Sequence, residues 1–426
     1  MAVLFTAAVE LLLHHVYRLD PPAPNKRLDT LTSGTLGFWA IDPARGATGL
    51  ERAYEIDGGS SINDPTRRNS QVDPGSAYVK ASVLVPVLNE EAFLRRTVPA
   101  MQAQDLDGEI EFIFIDGQSR DGSRELLEAM ARKDPRIRVI DNPAQQTAKA
   151  LNLGLQASRG EYLVRMDAHT FYPNHYIAAG VERLRRGDVA WVCGAQVATG
   201  EGVWSRRVAL ALNHPLGTGA SRRFGRGGEI PDETELDTGV FTGVWRRATV
   251  EAHGGWDDGW PVNQDSELAA RVLAAGGQIV SIPALDAWYV PRNSPKALAR
   301  QYLRYGFYRA KTTRRHPATM RYGHLFPPGL VVAGLAALVA PRALARPARA
   351  ALLVYALALA ATSAARDAPT SDKLTLPAVF ATMHTAWGLG FLGGCLRFAA
   401  SAGEGPTGRD RASDPGVQGR VPSVSR

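Results

Sequence analysis

The chain has only two cysteines, Cys193 and Cys395, far apart in its 426 residues. That excludes a disulfide framework and a multi-cysteine zinc site, and suits a reducing compartment. Acidic residues are missing from Ala287 through Arg366. Leu374–Leu396 lacks acid and base alike. Ala2–Val16 has no basic n-region and carries Glu10, His14 and His15, so it makes a poor signal peptide. No G-x-G-x-x-G follows the first expected strand, which argues against a Rossmann-type dinucleotide site.

What is present is a basic chain of otherwise globular composition. Lys and Arg number 49 against 42 Asp and Glu, a net charge of +7. Such a balance suits nucleic acid, anionic lipid or phosphate-bearing ligands. Position decides among them. The acid-free stretch opens with Arg292, Lys296, Arg300, Arg304, Arg309, Lys311, Arg314, Arg315 and Arg321, and apolar runs follow directly. Basic sequence abutting apolar spans reads as cytoplasmic and juxtamembrane. A nucleic-acid protein would rarely place its basic face there, so none is expected as a partner.

Four regions are expected. Residues 1–77 show no sustained period and are rich in Pro, Gly, Asp, Asn and Arg, a disordered extension. Residues 78–320 form the organised domain, where strand and helix alternate. Strands are expected at Ala81–Val87, Ile110–Ile115, Ile137–Ile140 and Glu161–Met166, with helices after Asn89 and over Ser123–Arg132 and Ala148–Ser158. That order implies an α/β fold with a mainly parallel sheet, whose ligands bind beyond the carboxyl ends of the strands. Asn89, Asp116 and Asp167 all fall there, and Asn89 is placed to cap the helix that follows it. Residues 321–400 hold three apolar runs, Leu325–Ala340, Ala348–Ala365 and Leu374–Leu396. Residues 401–426 are a Gly, Pro, Ser and Arg-rich tail expected to be disordered.

Three carboxylates at strand ends or a helix start carry the chemistry. Asp116 precedes Gly117. It can accept hydrogen bonds from a base or ribose, or simply close an Asp-Gly turn. Asp167 and His169 stand two apart where a strand gives way to a loop. They can reach one divalent ion, Mn²⁺ being better suited to imidazole than Mg²⁺, or remain a turn aspartate and a surface histidine. Asp265 opens a helix that ends at Gly276. It is a general base for an acceptor hydroxyl or an ordinary cap. Ser294 and Pro295 begin a further helix, on which Gln301, Arg304, Tyr305 and Tyr308 share one face. That face can grip a pyrophosphate or lie on a membrane surface.

Taken together, Val83–Glu91, Phe112–Ser123, Ala148–Gly160, Met166–His169 and Asn263–Leu268 resemble the motif run of inverting glycosyltransferases of family 2, over roughly residues 80–310. Arg165-Met-Asp-Ala-His-Thr, His214-Pro-Leu-Gly-Thr-Gly, Gln301-Tyr-Leu-Arg-Tyr-Gly and His384-Thr-Ala-Trp-Gly-Leu-Gly-Phe resemble the succinoglycan-type exopolysaccharide branch. The resemblance implies a GT-A fold, a Rossmann-like, mixed and mainly parallel sheet, followed by transmembrane helices. It implies that Pro86, Asn89 and Asp116 hold the nucleotide base, and that Asp167 lies near ribose and metal. His169 stands where most members have a second metal-binding acid. Asp265 matches the catalytic base. Gln301 and Arg304 match Q-x-x-R-W, with Tyr305 in place of Trp, which favours single addition over processive synthesis. Arg304 is expected on the donor side, and His214, Gln301 and Tyr305 on the acceptor side.

The implied activity is transfer of a hexose from a nucleotide sugar, expected to be UDP-linked, to a lipid-linked or polysaccharide acceptor in cell-surface glycan synthesis. The cofactor would be Mn²⁺ or Mg²⁺. The site would be the plasma membrane, with the catalytic domain cytoplasmic. The alternative is an inactive nucleotide-binding subunit of the same fold. Two topologies compete. Three spans would put the Arg342, Arg346, Arg349 loop outside, against the positive-inside rule. A re-entrant first run, roughly 16 residues against the usual ~20, leaves two spans and keeps that loop and the tail inside.

Overall fold

The computed structural model describes residues 79–218, 232–237, 240 and 242–399. The expectations for residues 1–77 and 401–426 lie outside the described residues. The chain runs β1 (Val79–Val87), α1 (Glu91–Gln102), β2 (Gly108–Asp116), α2 (Ser123–Ala131), β3 (Ile137–Asp141), α3 (Thr147–Ala157) and β4 (Tyr162–Arg165). Then come β5 (Thr170–Phe171), α4 (Tyr176–Arg185), β6 (Trp191–Cys193), β7 (Gln196–Ala198), α5 (Val203–Leu212), α6 (Pro215–Thr218) and β8 (Thr234–Glu235). After β9 (Gly243–Arg246) follow α7 (Arg247–Ala252), α8 (Gln264–Ala274), β10 (Ile279–Ser281) and β11 (Ala287–Tyr289). Four longer helices complete the described chain: α9 (Pro295–Arg315), α10 (Phe326–Val339), α11 (Arg342–Ala364) and α12 (Thr370–Ala399).

Eight strands form one sheet in the order β3-β2-β1-β4-β9-β6-β10-β8. The first four are parallel to one another. β9 runs antiparallel to both β4 and β6, so the sheet is mixed. Strands covered on both faces read as continuous apolar runs. In β1, Val83, Leu84 and Val85 are all fully buried. One face packs on Leu94 and Val98 of α1, Leu127 of α2 and Ile177 and Val181 of α4. The other packs on Leu151 of α3 and Leu268 and Val272 of α8. That second core also holds three tryptophans in mutual contact, Trp191–Trp245 at 4.8 Å and Trp245–Trp256 at 5.8 Å between ring centres. A smaller sheet, β5-β11-β7, carries His169 at its entry and Tyr289 at the end of β11.

The sequence places the first four strands and their helices within a residue or two. Asn89 is a correction. The residue capping α1 is Glu90, whose own side chain makes no cap bond; the Glu91 amide donates instead to Asp121 Oδ2. Asn89 instead adopts the left-handed backbone (φ 56°) and knits two loops together. Its amide donates to Ser119 Oγ, and its Oδ1 accepts from the Arg120 amide. The three apolar runs are helices, each long and apolar enough to cross a membrane by length and composition. α11 and α12 begin before their apolar runs, at Arg342 and Thr370.

Candidate active site

Arg165 is the last residue of β4, buried where the sheet's parallel half ends. A buried guanidinium requires paired acceptors. It donates from Nε to Asp167 Oδ1 (2.9 Å) and from Nη1 to Asp265 Oδ1 (2.5 Å). One cation thus joins the carboxylate after β4 to the carboxylate in the first turn of α8. Burial works against the Arg165 charge. The two aspartates more than offset it, so its pKa lies above the ordinary guanidinium value. The Asp167 backbone is fixed as well, its amide donating to Tyr172 Oη at 2.8 Å. Burial holds that phenol well above its usual pKa, so it stays a neutral hydroxyl.

His169 lies 3.0 Å, through Nδ1, from Glu90 Oε1. Its ring is set edge-on between Phe93 and Tyr289, at 6.1 and 5.5 Å. The Tyr289 hydroxyl is 3.5 Å from Gln301 Nε2, which donates to Tyr305 Oη at 2.8 Å. Asn263, in the left-handed backbone that turns the chain into α8, donates from Nδ2 to the Tyr305 carbonyl at 3.1 Å. A continuous set of contacts therefore runs from His169 through Tyr289, Gln301 and Tyr305 to the residue before α8. Arg304 stands exposed on α9, the helix of Gln301 and Tyr305. Arg309, one turn on, reaches Ser266 beside Asp265 at 3.4 Å.

Asp116 is the last residue of β2 and is buried. Its carboxylate accepts from the Ser119 amide at 3.3–3.4 Å, which is turn chemistry. Long bonds of this kind leave it capacity to accept from a ligand. Pro86 lies on β1 beside Ile115. Pro86, Asn89 and Asp116 thus share one crest, and Glu90 joins that crest to His169. His214 lies apart from these contacts. Its Nδ1 accepts from the Leu216 amide, and its ring meets Phe380 of α12 at 6.0 Å. Burial, helped by Arg366, lowers its pKa.

Two residues in this site were not singled out from sequence. Arg165 carries a signal: a charge inside an otherwise apolar strand must find acceptors. Glu90 carries none, because a glutamate beside a helix start is ordinary.

For a divalent ion, the test is the donor set. Among the described residues no three His, Cys, Asp or Glu side chains gather as a cage. Asp167 and His169 offer one carboxylate and one imidazole. That fits an ion of the Mg²⁺ or Mn²⁺ kind, which takes one or two protein ligands and completes its shell with phosphate and water. Glu90 strengthens the fit. A ligating histidine typically has its other ring nitrogen held by a carboxylate, and here Nδ1 is so held, leaving Nε2 for metal.

The sheet is mixed and mainly parallel, and Asp116 and Asp167 stand at the carboxyl ends of its strands. Residues 82–249 match the family model Glycosyl transferase family 2. It is 29% identical over 260 residues to the succinoglycan biosynthesis protein ExoA of Rhizobium meliloti (strain 1021), covering 61% of this chain and 77% of that one. It is 32% identical over 182 residues to an undecaprenyl-phosphate 4-deoxy-4-formamido-L-arabinose transferase of Pseudomonas aeruginosa (strain LESB58). That match covers 40% of this chain and 48% of the relative. Among solved structures, a mannosyltransferase of Pyrobaculum calidifontis in complex with GDP-Man and Mn²⁺ aligns at 21% identity and a TM-score of 0.47. The alignment covers 81% of this chain and 93% of that one.

Proposed function

We propose that the protein is a membrane-anchored, inverting hexosyltransferase, moving a sugar from a nucleotide-sugar donor to a lipid-linked glycan acceptor on the cytoplasmic face. The observation that carries this reading is the Arg165 bridge, which holds Asp167 and Asp265 on one guanidinium. The nucleotide base rests on the crest of Pro86, Asn89 and Asp116. Asp265 takes the proton of the acceptor hydroxyl as that oxygen attacks the anomeric carbon. The bond from that carbon to the nucleoside diphosphate breaks on the opposite face, so the configuration inverts. Asp167 and His169 would hold a divalent ion, which would supply positive charge for the departing diphosphate. Arg304 is a second cation for the donor, and Gln301 and Tyr305 line the acceptor side. Tyr305 in place of tryptophan supports one addition per acceptor.

UDP is the nucleotide proposed. The lipid-linked acceptor is supported by the Pseudomonas relative, an undecaprenyl-phosphate sugar transferase by name, and by the three apolar helices. Holding the site at the membrane turns a dilute search for such an acceptor into a local one.

The deciding experiment is Asp265→Asn. Loss of a general base is expected to lower turnover by about 10²–10⁴-fold, with UDP affinity by calorimetry little changed. Near-normal turnover at normal expression would remove Asp265 from the role. Binding of UDP with no transfer by the unaltered chain, across a panel of donors and acceptors, would favour a nucleotide-binding subunit.

A further inference from the structure

By length and composition α12 is a membrane span. Its contacts say otherwise. At its start, Asp372 is fully buried and accepts from Arg206 Nε (2.7 Å) and Arg207 Nε (3.0 Å), both on α5. Further along, Leu376, Phe380 and Met383 share a core with Val208 and Leu212 of α5 and Tyr289 of β11. His384 Nε2 lies 2.8 Å from the Leu216 carbonyl of α6. The second half runs beside α9 in a seam that only glycine permits. A methyl group at Gly306 would fall 1.9 Å from the Trp387 carbonyl oxygen, and one at Gly390 would fall 2.0 Å from that of Leu303. At the far end Phe398 packs on Phe307, with ring centres 5.0 Å apart.

α9 is itself bolted to the segment that leads into α8. Thr312 Oγ1 accepts from Trp260 Nε1 at 2.9 Å, and Arg315 pairs with Asp257 at 2.9 Å. Both ends of α12 are therefore held by the body that carries the carboxylates. The 30-residue helix is ~45 Å long at about 1.5 Å per residue, more than the ~30 Å of a hydrocarbon core. If it crossed, it would draw α9 into the bilayer with Arg300, Arg304, Lys311, Arg314 and Arg315. Charges at that depth are costly and rare.

α10 and α11 behave differently. They form a hairpin whose outer faces expose Leu335, Leu338, Leu353, Val354 and Leu357. Both feet stand on α12. Phe326, at the start of α10, meets His384 at 5.4 Å, and Leu359 of α11 enters the core around Phe380. Its tip carries Arg342, Arg346 and Arg349, suited to phosphate headgroups.

We infer that α12 does not cross the membrane: it is a helix of the catalytic body, and the bilayer is engaged by the α10–α11 hairpin alone, which leaves that body and returns to it. The inference rests on the membrane-anchored reading above. Membrane fractions of cells making the full chain are washed with alkaline carbonate, then the variants Ser371→Cys and Leu396→Cys are exposed to an impermeant maleimide. Intact cells are compared with inverted vesicles. The native Cys193 and Cys395 are buried, so the unaltered chain gives the background.

Both variants are expected to react in inverted vesicles, at least tenfold more than in intact cells. Reaction of the two from opposite sides overturns the inference. Silence of Leu396→Cys from both sides overturns it too, since it puts that turn inside the bilayer. Release of the chain by carbonate is a different failure, because it rejects the membrane-anchored reading itself.

Discussion

Glu90 reaches from the loop after β1 to a histidine seventy-nine positions on, and the contact fixes which imidazole nitrogen is left for a ligand. With Nδ1 engaged by the carboxylate, Nε2 is the available donor. Glu90→Gln keeps the shape and removes the charge. Mn²⁺ affinity in the presence of UDP, read by electron paramagnetic resonance without acceptor, is expected to fall about 10- to 100-fold. Unchanged affinity would leave Glu90 a packing contact only. Arg165 works on a different principle. It holds two carboxylates in register, which a lysine with a single ammonium could not copy at both distances.

The elements that matter most are α8 and α9, because the first carries Asp265 and the second Gln301 and Tyr305. They are locked together by Glu267, which is fully buried and pairs with Arg271 (2.7 Å) and with His316 beyond α9 (3.3 Å). Burial alone would raise the Glu267 pKa, but the bonds to His316 and Arg271 outweigh it and hold the carboxyl below its usual value. A depressed folded pKa gives stability that is present above the unfolded glutamate pKa. It is lost as pH falls through the folded one. Glu267→Gln is expected to cost about 1–3 kcal/mol at neutral pH, by leaving the half-buried Arg271 without its charge partner. It should also flatten the acid limb of a stability profile measured by thermal melts. A variant as stable as the parent at pH 7 would show the lock to be dispensable.

Sequence reading succeeds for these elements where periodicity is long. The Leu268, Val272 spacing and the Ser294-Pro295 start both appear as helices, with Ser294 Oγ accepting from the Ala297 amide. It fails where contacts are distant. Strands of three or four residues such as β6 and β9 carry too little pattern to announce that β9 inserts antiparallel between β4 and β6. Asn89 misleads because a residue that tolerates left-handed backbone is equally at home as a cap. The motifs place Asp167 and Asp265 individually, but nothing in the spacing says that one buried arginine joins them across a hundred residues.

At the scale of the whole molecule, the α10–α11 hairpin, the seam helices and the sheet form one connected body, so a single global signal would blend their responses. The three contacting tryptophans of the second core separate them. Trp191, Trp245 and Trp256 are buried behind the sheet, while Trp387 stands on α12 against Phe391 at 5.2 Å. Indoles in van der Waals contact at fixed angles share their excited states. The folded sheet should therefore give a paired positive and negative band in circular dichroism that isolated indoles do not show. The bands are expected to persist when detergent rearranges α10 and α11, and to vanish once β6 and β9 part. Trp245→Phe, which removes the middle ring, should abolish them while leaving the melting transition in place. The protein thus contains its own spectroscopic label for the half of the sheet that backs α8, readable without any added dye.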